Sequence, residues 1–245
     1  FNKKITILNK KPTLIFKIDN FFEPEFYSEI KDFFKDINPD DLNLKVNFGK
    51  KTIYAKDLIF DNENKKKILE RLNKVILSKD FFNFFVKEIF FKNVNTQSNI
   101  LKKIKYLRYP VVDNKKKSFL DLFFSKISVS YAFSYIKNNG GIAPHVDSIR
   151  KYLSLMLYFP EDENKENEYG TTFWESDIKS FTNTHISDKK QIAEFKMKNK
   201  QLFKTSFNSN CLYGFLRNDT SWHTVEPQNI SENYIRKSIN INFNY

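Results

Sequence analysis

The sequence predicts an α+β chain that is mainly β, with helices in its first half and an antiparallel sandwich or barrel in its second. Helices are predicted within Pro24 to Phe34 and Lys65 to Val86, whereas short strands separated by turn residues follow from Ile127 onward. The 27 Phe and 12 Tyr favour strands and a well-filled interior. With only 5 Gly and 7 Pro, the chain is neither linker-rich nor disordered.

The first half predicts one strand and two helices. Alternation of apolar residues indicates a strand over Pro12 to Ile18, and Asp19 with the next residue then reads as a helix cap. The first helix is predicted from Pro24 to Phe34. Apolar residues at helical spacing predict a second helix from Lys65 to Val86, and Tyr106 to Val112 is a candidate strand in a lysine-rich region.

The second half predicts a series of strands. Ile127 to Ile136 is the first of them, and Asn138 to Gly141 forms its turn. Glu161 to Glu168 is interpreted as a hydrophilic insertion. The further strands are predicted at Tyr152 to Phe159, Gly170 to Glu175, Cys211 to Leu216 and Tyr234 to Asn244.

The length of 245 residues predicts a single domain over 1–245, with 1–125 as a helical and strand support region and 126–245 as the β core. A single cysteine, Cys211, cannot form an internal disulfide, so the chain suits a reducing compartment and we expect it in the cytoplasm. No apolar run approaches the roughly 20 residues that a membrane helix needs, so no membrane partner is expected. The sequence leaves the true N-terminus and the oligomeric state undetermined.

The net charge of +12 is unevenly distributed. Residues 1–140 hold 28 Lys and Arg against 16 Asp and Glu, while residues 141–245 hold 13 against 13. Only five of the 41 basic residues are Arg, which base-reading contacts favour alongside Lys. We therefore prefer a solvated lysine surface to a nucleic-acid partner, although phosphate contacts by the basic first half are the alternative.

Three residues form a candidate metal site: His145, Asp147 and His223. In a strand alternate side chains share a face, so His145 and Asp147 can offer a nitrogen and a carboxylate oxygen to one ion. With His223 they make two neutral nitrogens and one anionic oxygen, the set associated with non-haem Fe(II) oxygenases. The His-x-Asp spacing alone also arises by chance on a solvated strand. The third histidine, His185, lies in a polar run and offers no such context.

The predicted last strand has one polar and one apolar face. Arg236, Ser238, Asn240 and Asn242 share one parity, and the residues between them are mostly apolar. A polar row facing solvent is one interpretation. The other is that Arg236 binds a carboxylate through two parallel hydrogen bonds, which lysine cannot imitate, and this hints at a dicarboxylate co-substrate.

These residues lie in blocks that resemble the 2-oxoglutarate and Fe(II)-dependent dioxygenases, in particular their prolyl hydroxylase-like branch. The blocks occur in family order at family-like spacing, and Ile18 to Phe22 before a helix also resembles the start of the family's domain. Residues 35–125 match nothing specific. The blocks are Tyr135 to Asp147, Tyr152 to Pro160, Tyr169 to Phe173, Ser221 to Pro227 and Arg236 to Phe243.

The resemblance implies a double-stranded β-helix, a jelly-roll or cupin-like barrel, with N-terminal helices packed on one sheet. It also implies that the metal trio holds Fe(II), that Arg236 pairs with the distal carboxylate of 2-oxoglutarate and that Tyr158 adds a hydroxyl there. Tyr135 matches a tyrosine that reaches the co-substrate, although a core tyrosine is the alternative interpretation. Ser154 and Ser238 either line the pocket or fill the barrel.

The implied reaction uses O2 to hydroxylate an unactivated carbon, with release of succinate and CO2. The substrate class is a small molecule or a peptide, and the fold does not choose between them. Asn242 stands where the nucleic-acid demethylase branch has a second Arg, and Asp147 in the trio favours hydroxylation over halogenation. Tyr169 replaces the first of two glycines usual in the family. The rival functions are a catalytically silent jelly-roll binding protein and an oxygenase acting on nucleic acid.

Overall fold

The computed structural model describes residues 3–35, 50–91, 127–180 and 184–244. The strand predicted over Tyr106 to Val112 lies outside these residues. No helix in the described ranges is both long and apolar enough to cross a membrane.

Helices dominate the described part of the first half, as predicted. Helix α1 covers Pro24–Lys35, one residue beyond its predicted end. The single helix predicted from Lys65 to Val86 is instead two, α2 at Glu63–Ile76 and α3 at Lys79–Phe85. The helix is interrupted there because the hydroxyl of Ser78 accepts a hydrogen bond from the Phe81 amide and so caps the start of a new helix.

Short helical segments complete the described part of the chain. A π-helical turn follows α3 at Val86–Phe91, and single 3₁₀ turns occur at Ala55–Asp57 and Asn167–Tyr169. Two further helices, α4 at Glu163–Glu166 and α5 at Lys189–Lys198, were not predicted.

Twelve strands are found in the described residues, and they form two antiparallel sheets. The first sheet has seven strands in the order β1-β2-β10-β6-β12-β4-β3, and the second has five in the order β8-β5-β11-β7-β9. The strands are β1 Thr6–Asn9, β2 Ile15–Ile18, β3 Lys50–Tyr54, β4 Ser128–Lys137, β5 Ile142–Val146, β6 Lys151–Tyr158, β7 Thr172–Glu175, β8 Thr184–His185, β9 Lys200–Lys204, β10 Leu212–Leu216, β11 His223–Val225 and β12 Ile235–Asn244.

The five strands predicted in the second half and the one over Pro12 to Ile18 are all present, with ends shifted by a few residues. Of the remaining six strands, β5 and β11 carry His145 and His223 and had no predicted bounds, and the short strands β1, β3, β8 and β9 were not predicted. These four carry no clear alternation of their own, and each is defined by its pairing with a neighbouring strand.

The N-terminal helices pack on one face of the seven-stranded sheet, as expected. The ring of Phe34 on α1 lies 5.1 Å from Phe133 on β4, and Phe85 on α3 lies 5.8 Å from Phe243 on β12. Each such aromatic pair stabilises the fold by about 0.5–1.5 kcal/mol more than the burial of its apolar area alone. The many phenylalanines therefore fill the layer between helices and sheet, and leave the opposite face of the sheet free for other residues.

Candidate metal centre and cavity

A cavity of about 360 Å³ lies between the two sheets, within the roughly 300–1,000 Å³ usual for small-molecule sites. Arg236, Asn240 and Asn242 of β12 line it. The apolar residues between them, Ile239 and Ile241, pack in the core beneath the helices. The polar parity of the last strand therefore faces an internal cavity rather than solvent.

The structure brings His145, Asp147 and His223 together on this cavity. His145 on β5 and His223 on β11 are register partners in the five-stranded sheet, and their ring centroids lie 4.0 Å apart. Asp147 follows the end of β5 by one residue. One ligand atom from each of the three lies within 4.8 Å of the others, close enough to share one metal ion.

Hydrogen bonds fix the orientation of each of the three side chains. The Nδ1 of His145 donates to the carbonyl of Ala143 at 2.9 Å, and the Nδ1 of His223 donates to the carbonyl of Ser221 at 2.9 Å. The lone pair of each Nε2 is then free for a metal.

The carboxylate of Asp147 is held at both of its oxygens. The hydroxyl of Ser154 donates to Oδ2 at 2.7 Å, and the ammonium of Lys151 donates to Oδ1 at 2.9 Å. Such second-layer contacts are typical of metal sites in proteins.

The charge states of the three groups suit metal binding. Burial lowers the pKa of His145 and that of His223 below the usual histidine value. Burial alone would raise the pKa of Asp147, but the positive charge of Lys151, the two histidines and the Ser154 hydrogen bond bring it well below its usual range. At neutral pH the site therefore holds two neutral imidazoles and one carboxylate, the ionisation that a metal requires.

Arg236 is 3% exposed and its guanidinium lies in an aromatic box. The guanidinium carbon is 5.0 Å from the ring centre of Tyr158, 5.6 Å from that of Tyr169 and 4.8 Å from that of Phe207. Its Nε donates to the Tyr169 carbonyl at 2.8 Å. In the described residues no carboxylate pairs with this buried cation, so it offers a fixed site for an anion.

Tyr158 and Ser238 lie beside Arg236. Tyr158 and Ser238 are register partners on β6 and β12, so their side chains share a face of the sheet. The Tyr158 hydroxyl shares hydrogen bonds with the hydroxyls of Thr171 at 2.9 Å and Thr205 at 3.1 Å. Both residues expected near the co-substrate are thus placed next to the cation expected there.

Tyr135 is placed differently from the expectation. Its parity on β4 is opposite to that of Ser134, which lines the cavity, and its ring lies 5.5 Å from Phe34 in the layer beneath the helices. This is the position of a core tyrosine, the alternative interpretation of this residue. The structure gives no partner for its hydroxyl within the described part of the chain.

His185, which offered no context in the sequence, lies against the metal trio. It pairs with His145 through β8, and the two rings stack with centroids 4.6 Å apart and planes 8° from parallel. Its side chain is exposed and it is not one of the three clustered ligands. Only the register of two strands distant in sequence places it there, so no local signal predicts it.

Two lysines that the sequence did not single out also line the cavity, Lys50 on β3 and Lys151 on β6. The aromatic pair Phe173 and Trp174, by contrast, serves ordinary packing. The Phe173 ring lies 5.1 Å from Phe215, and the Trp174 ring lies 5.9 Å from Phe195.

No protein-family model matches the chain, and no curated protein matches its sequence. Solved structures do match its fold. A prolyl-4-hydroxylase from Pseudomonas putida has a TM-score of 0.51 at 12% identity, over 95% of this chain and 93% of that one.

HygX from Streptomyces hygroscopicus, with nickel and 2-oxoglutarate bound, has a TM-score of 0.52 at 7% identity, over 94% of this chain and 82% of that one. The same protein with nickel, 2-oxoglutarate and hygromycin B bound has a TM-score of 0.51 at 7% identity. At these identities the likeness shows a fold shared with a prolyl-4-hydroxylase and with HygX, mainly β with antiparallel sheets and some helices.

Proposed function

We propose that the protein is a non-haem Fe(II) and 2-oxoglutarate-dependent dioxygenase of the prolyl hydroxylase-like branch, and that it hydroxylates an unactivated carbon of a small-molecule or peptide substrate. One observation carries the proposal. The trio of His145, Asp147 and His223 and the buried, carboxylate-free cation Arg236 line the same cavity. A metal ion and a dicarboxylate can therefore bind in it side by side.

The residues present fit Fe(II). Two imidazole nitrogens and one carboxylate oxygen on one side of an ion leave further positions open, which is the donor set of non-haem Fe(II) oxygenases. The backbone carbonyls behind the two histidines and Ser154 behind Asp147 hold the ligands in their binding orientation. HygX, which shares the fold, binds nickel together with 2-oxoglutarate.

The residues also fit 2-oxoglutarate. Its distal carboxylate would pair with Arg236, beside Tyr158 and Ser238, while its keto acid end would reach toward the trio. The aromatic rings around Arg236 keep water from the guanidinium and so strengthen its attraction for a carboxylate. When bound, Fe(II) and 2-oxoglutarate would supply the activation of O2, with release of succinate and CO2, and the protein supplies orientation and a dry cavity.

The strand connections support a jelly-roll for residues 126–245. From β4 to β7 the chain alternates between the two sheets, β8 and β9 then follow β7 in the five-stranded sheet, and β10, β11 and β12 alternate again. Without the two-residue β8, these are eight strands in two antiparallel sheets, four in each, which is the make-up of a double-sheet jelly roll. The helices of the first half then act as support, because they cover the outer face of the larger sheet.

Isothermal titration calorimetry with Ni(II), which resists oxidation, tests the proposal. The wild-type protein should bind one Ni(II), and 2-oxoglutarate should bind only to the metal-loaded protein. Asp147→Asn should lose most of the metal affinity. Arg236→Gln should keep the metal and bind 2-oxoglutarate at least about tenfold more weakly, because a charge-assisted pair is lost.

The outcomes separate the rival functions. Equal 2-oxoglutarate affinity in Arg236→Gln and wild type would refute the role of Arg236. Failure of the wild-type protein to bind any divalent metal would favour a catalytically silent binding protein.

A further inference from the structure

The cavity keeps a net positive charge after the charges of the metal and the co-substrate are both counted. Among its lining residues Lys50, Lys151 and Arg236 are cationic and Asp147 is anionic, a net charge of +2 with neutral histidines. Fe(II) adds two positive charges and the 2-oxoglutarate dianion removes two. This inference rests on the proposed function, under which the loaded cavity still keeps an excess of two positive charges.

Two of the three cations have assigned partners. Lys151 forms an ion pair with Asp147 at 2.9 Å, and Arg236 faces the proposed co-substrate. The ammonium of Lys50 has no ion pair or hydrogen bond to any described residue. Burial, together with the positive charges of Lys151 and Arg236, lowers the pKa of Lys50 to about 8, and the negative charge of Asp147 acts in the opposite direction. Lys50 is therefore a partly buried cation with no direct ion pair to a described residue, and the carboxylate that attracts it, Asp147, already forms an ion pair with Lys151.

A hydroxyl without a partner lies beside Lys50. Ser134 is 1% exposed and lines the cavity, and its Oγ has no hydrogen-bond partner in the described part of the chain. Thr52 of β3 is its register partner and also lines the cavity. Lys50 is two residues from Thr52 on the same face of the strand, one step along the sheet. The cation and the hydroxyls together have the donors that an oxyanion requires.

We propose that Lys50 and Ser134 form an anion subsite for the primary substrate, which therefore carries a carboxylate or phosphoryl group. Among the described strands, β3 lies at an edge of its sheet, and the side chain of Lys50 is partly exposed, whereas Arg236 lies deep in the fold. The co-substrate has two acidic ends, and the metal held by the trio and the guanidinium of Arg236 would accept both. The third anion in the cavity is thus the substrate's own.

Lysine footprinting tests the subsite without measuring turnover. Reductive methylation at pH 8 with formaldehyde and a borane, followed by peptide mass spectrometry, gives the rate at Lys50 relative to Lys67, an exposed lysine of α2. With Ni(II) and 2-oxoglutarate bound, Lys50 should still react. Methyl phosphate or acetate should then slow the methylation of Lys50 but not that of Lys67, whereas neutral acetamide should slow neither. The anion that slows Lys50 more shows whether the substrate group is phosphoryl or carboxylate.

Variants check the same point by ³¹P NMR titration of methyl phosphate. Lys50→Arg should keep the affinity within about threefold, and Lys50→Met should lose at least about tenfold, because a charge-assisted contact is removed. Ser134→Ala should weaken binding by about threefold, and the control Lys67→Met should change nothing. If phosphate proves too weak for this titration, the acetate arm of the footprint decides.

Two results would overturn the subsite. Protection of Lys50 by 2-oxoglutarate alone would assign it to the co-substrate, and equal reactivity with and without both anions would leave it without a ligand. Failure of the proposed function is seen separately, as failure of 2-oxoglutarate to bind the Ni(II)-loaded protein. In that event the footprint of the metal-free protein with the two anions still decides the role of Lys50.

Discussion

Asp147 depends on Ser154 for its orientation. The Ser154 hydroxyl is the only neutral donor to this carboxylate among the described residues, and it holds the Oδ2 atom at 2.7 Å. The other contact, from Lys151, is a charge that would compete with a metal for the same carboxylate. The side chain of Ser154 is therefore worth more to metal binding than its small size suggests.

Ser154→Ala should weaken metal affinity by about 10–100-fold, the usual effect of losing such a contact, while the fold persists. The measurement is calorimetric titration of Ni(II) or Mn(II) into the variant and the wild type. Ser128→Ala, at the exposed start of β4, is the matched control and should bind as the wild type does. Unchanged affinity in Ser154→Ala would show that Asp147 is oriented without it.

At the residue scale, the sequence predicts which residues share a face but not which face meets the cavity. The parity of β12 correctly groups Arg236 with its polar neighbours, because a strand has a fixed two-residue period. Tyr135 lies on the face of β4 that packs under the helices. Its predicted contact with the co-substrate rests on the family resemblance alone. Whether one position on a strand faces the cavity depends on how that strand pairs in the sheet, and the sequence alone does not give this pairing.

At the element scale, the segment that leads into β7 connects the five-stranded sheet to the aromatic box around Arg236. A Cβ on Gly170 would lie 1.8 Å from the Thr205 carbonyl oxygen and 2.5 Å from its hydroxyl. That hydroxyl accepts a hydrogen bond from the Thr171 amide and contacts the Tyr158 hydroxyl. The glycine thus permits the close approach on which the position of Tyr158 depends.

Gly170→Ala should lower the free energy of unfolding by about 1–3 kcal/mol, because backbone atoms must move to admit the methyl group. It should also weaken 2-oxoglutarate binding, since Thr205 and Tyr158 shift together. Urea denaturation and calorimetry measure the two effects. Glu70→Ala, exposed on α2, is the control, and a Gly170→Ala protein as stable as this control would contradict the packing described for β7.

Element existence was predictable where a segment carries its own pattern. Helix α1 and strands β4, β6, β10 and β12 were predicted because their apolar spacing runs over at least five residues. The break between α2 and α3 has a local signal, Ser78 three residues before Phe81, that the long apolar pattern concealed. Strand β3 has no such local signal, so the sequence predicts neither the strand nor the place of Lys50 in the cavity.

At the scale of the whole molecule, the site is assembled from segments far apart in the chain. His145 and His223 meet through the pairing of β5 with β11, and Lys50 reaches the same cavity from β3, almost a hundred residues before β5. The resemblance predicts the metal trio because the family fixes that pairing. It does not predict His185 or Lys50, whose positions follow from the pairings of β8 with β5 and of β3 with β4.

The central claim is that one cavity binds Fe(II) through His145, Asp147 and His223 and 2-oxoglutarate through Arg236. An anaerobic titration tests it directly, because a keto acid chelated to Fe(II) absorbs visible light. Fe(II) and 2-oxoglutarate together should give a visible band with the wild-type protein. Succinate should not replace 2-oxoglutarate, and Asp147→Ala should abolish the band. A colourless wild-type protein, or an equal band in Asp147→Ala, would show that the cavity does not bind Fe(II) and 2-oxoglutarate in this way.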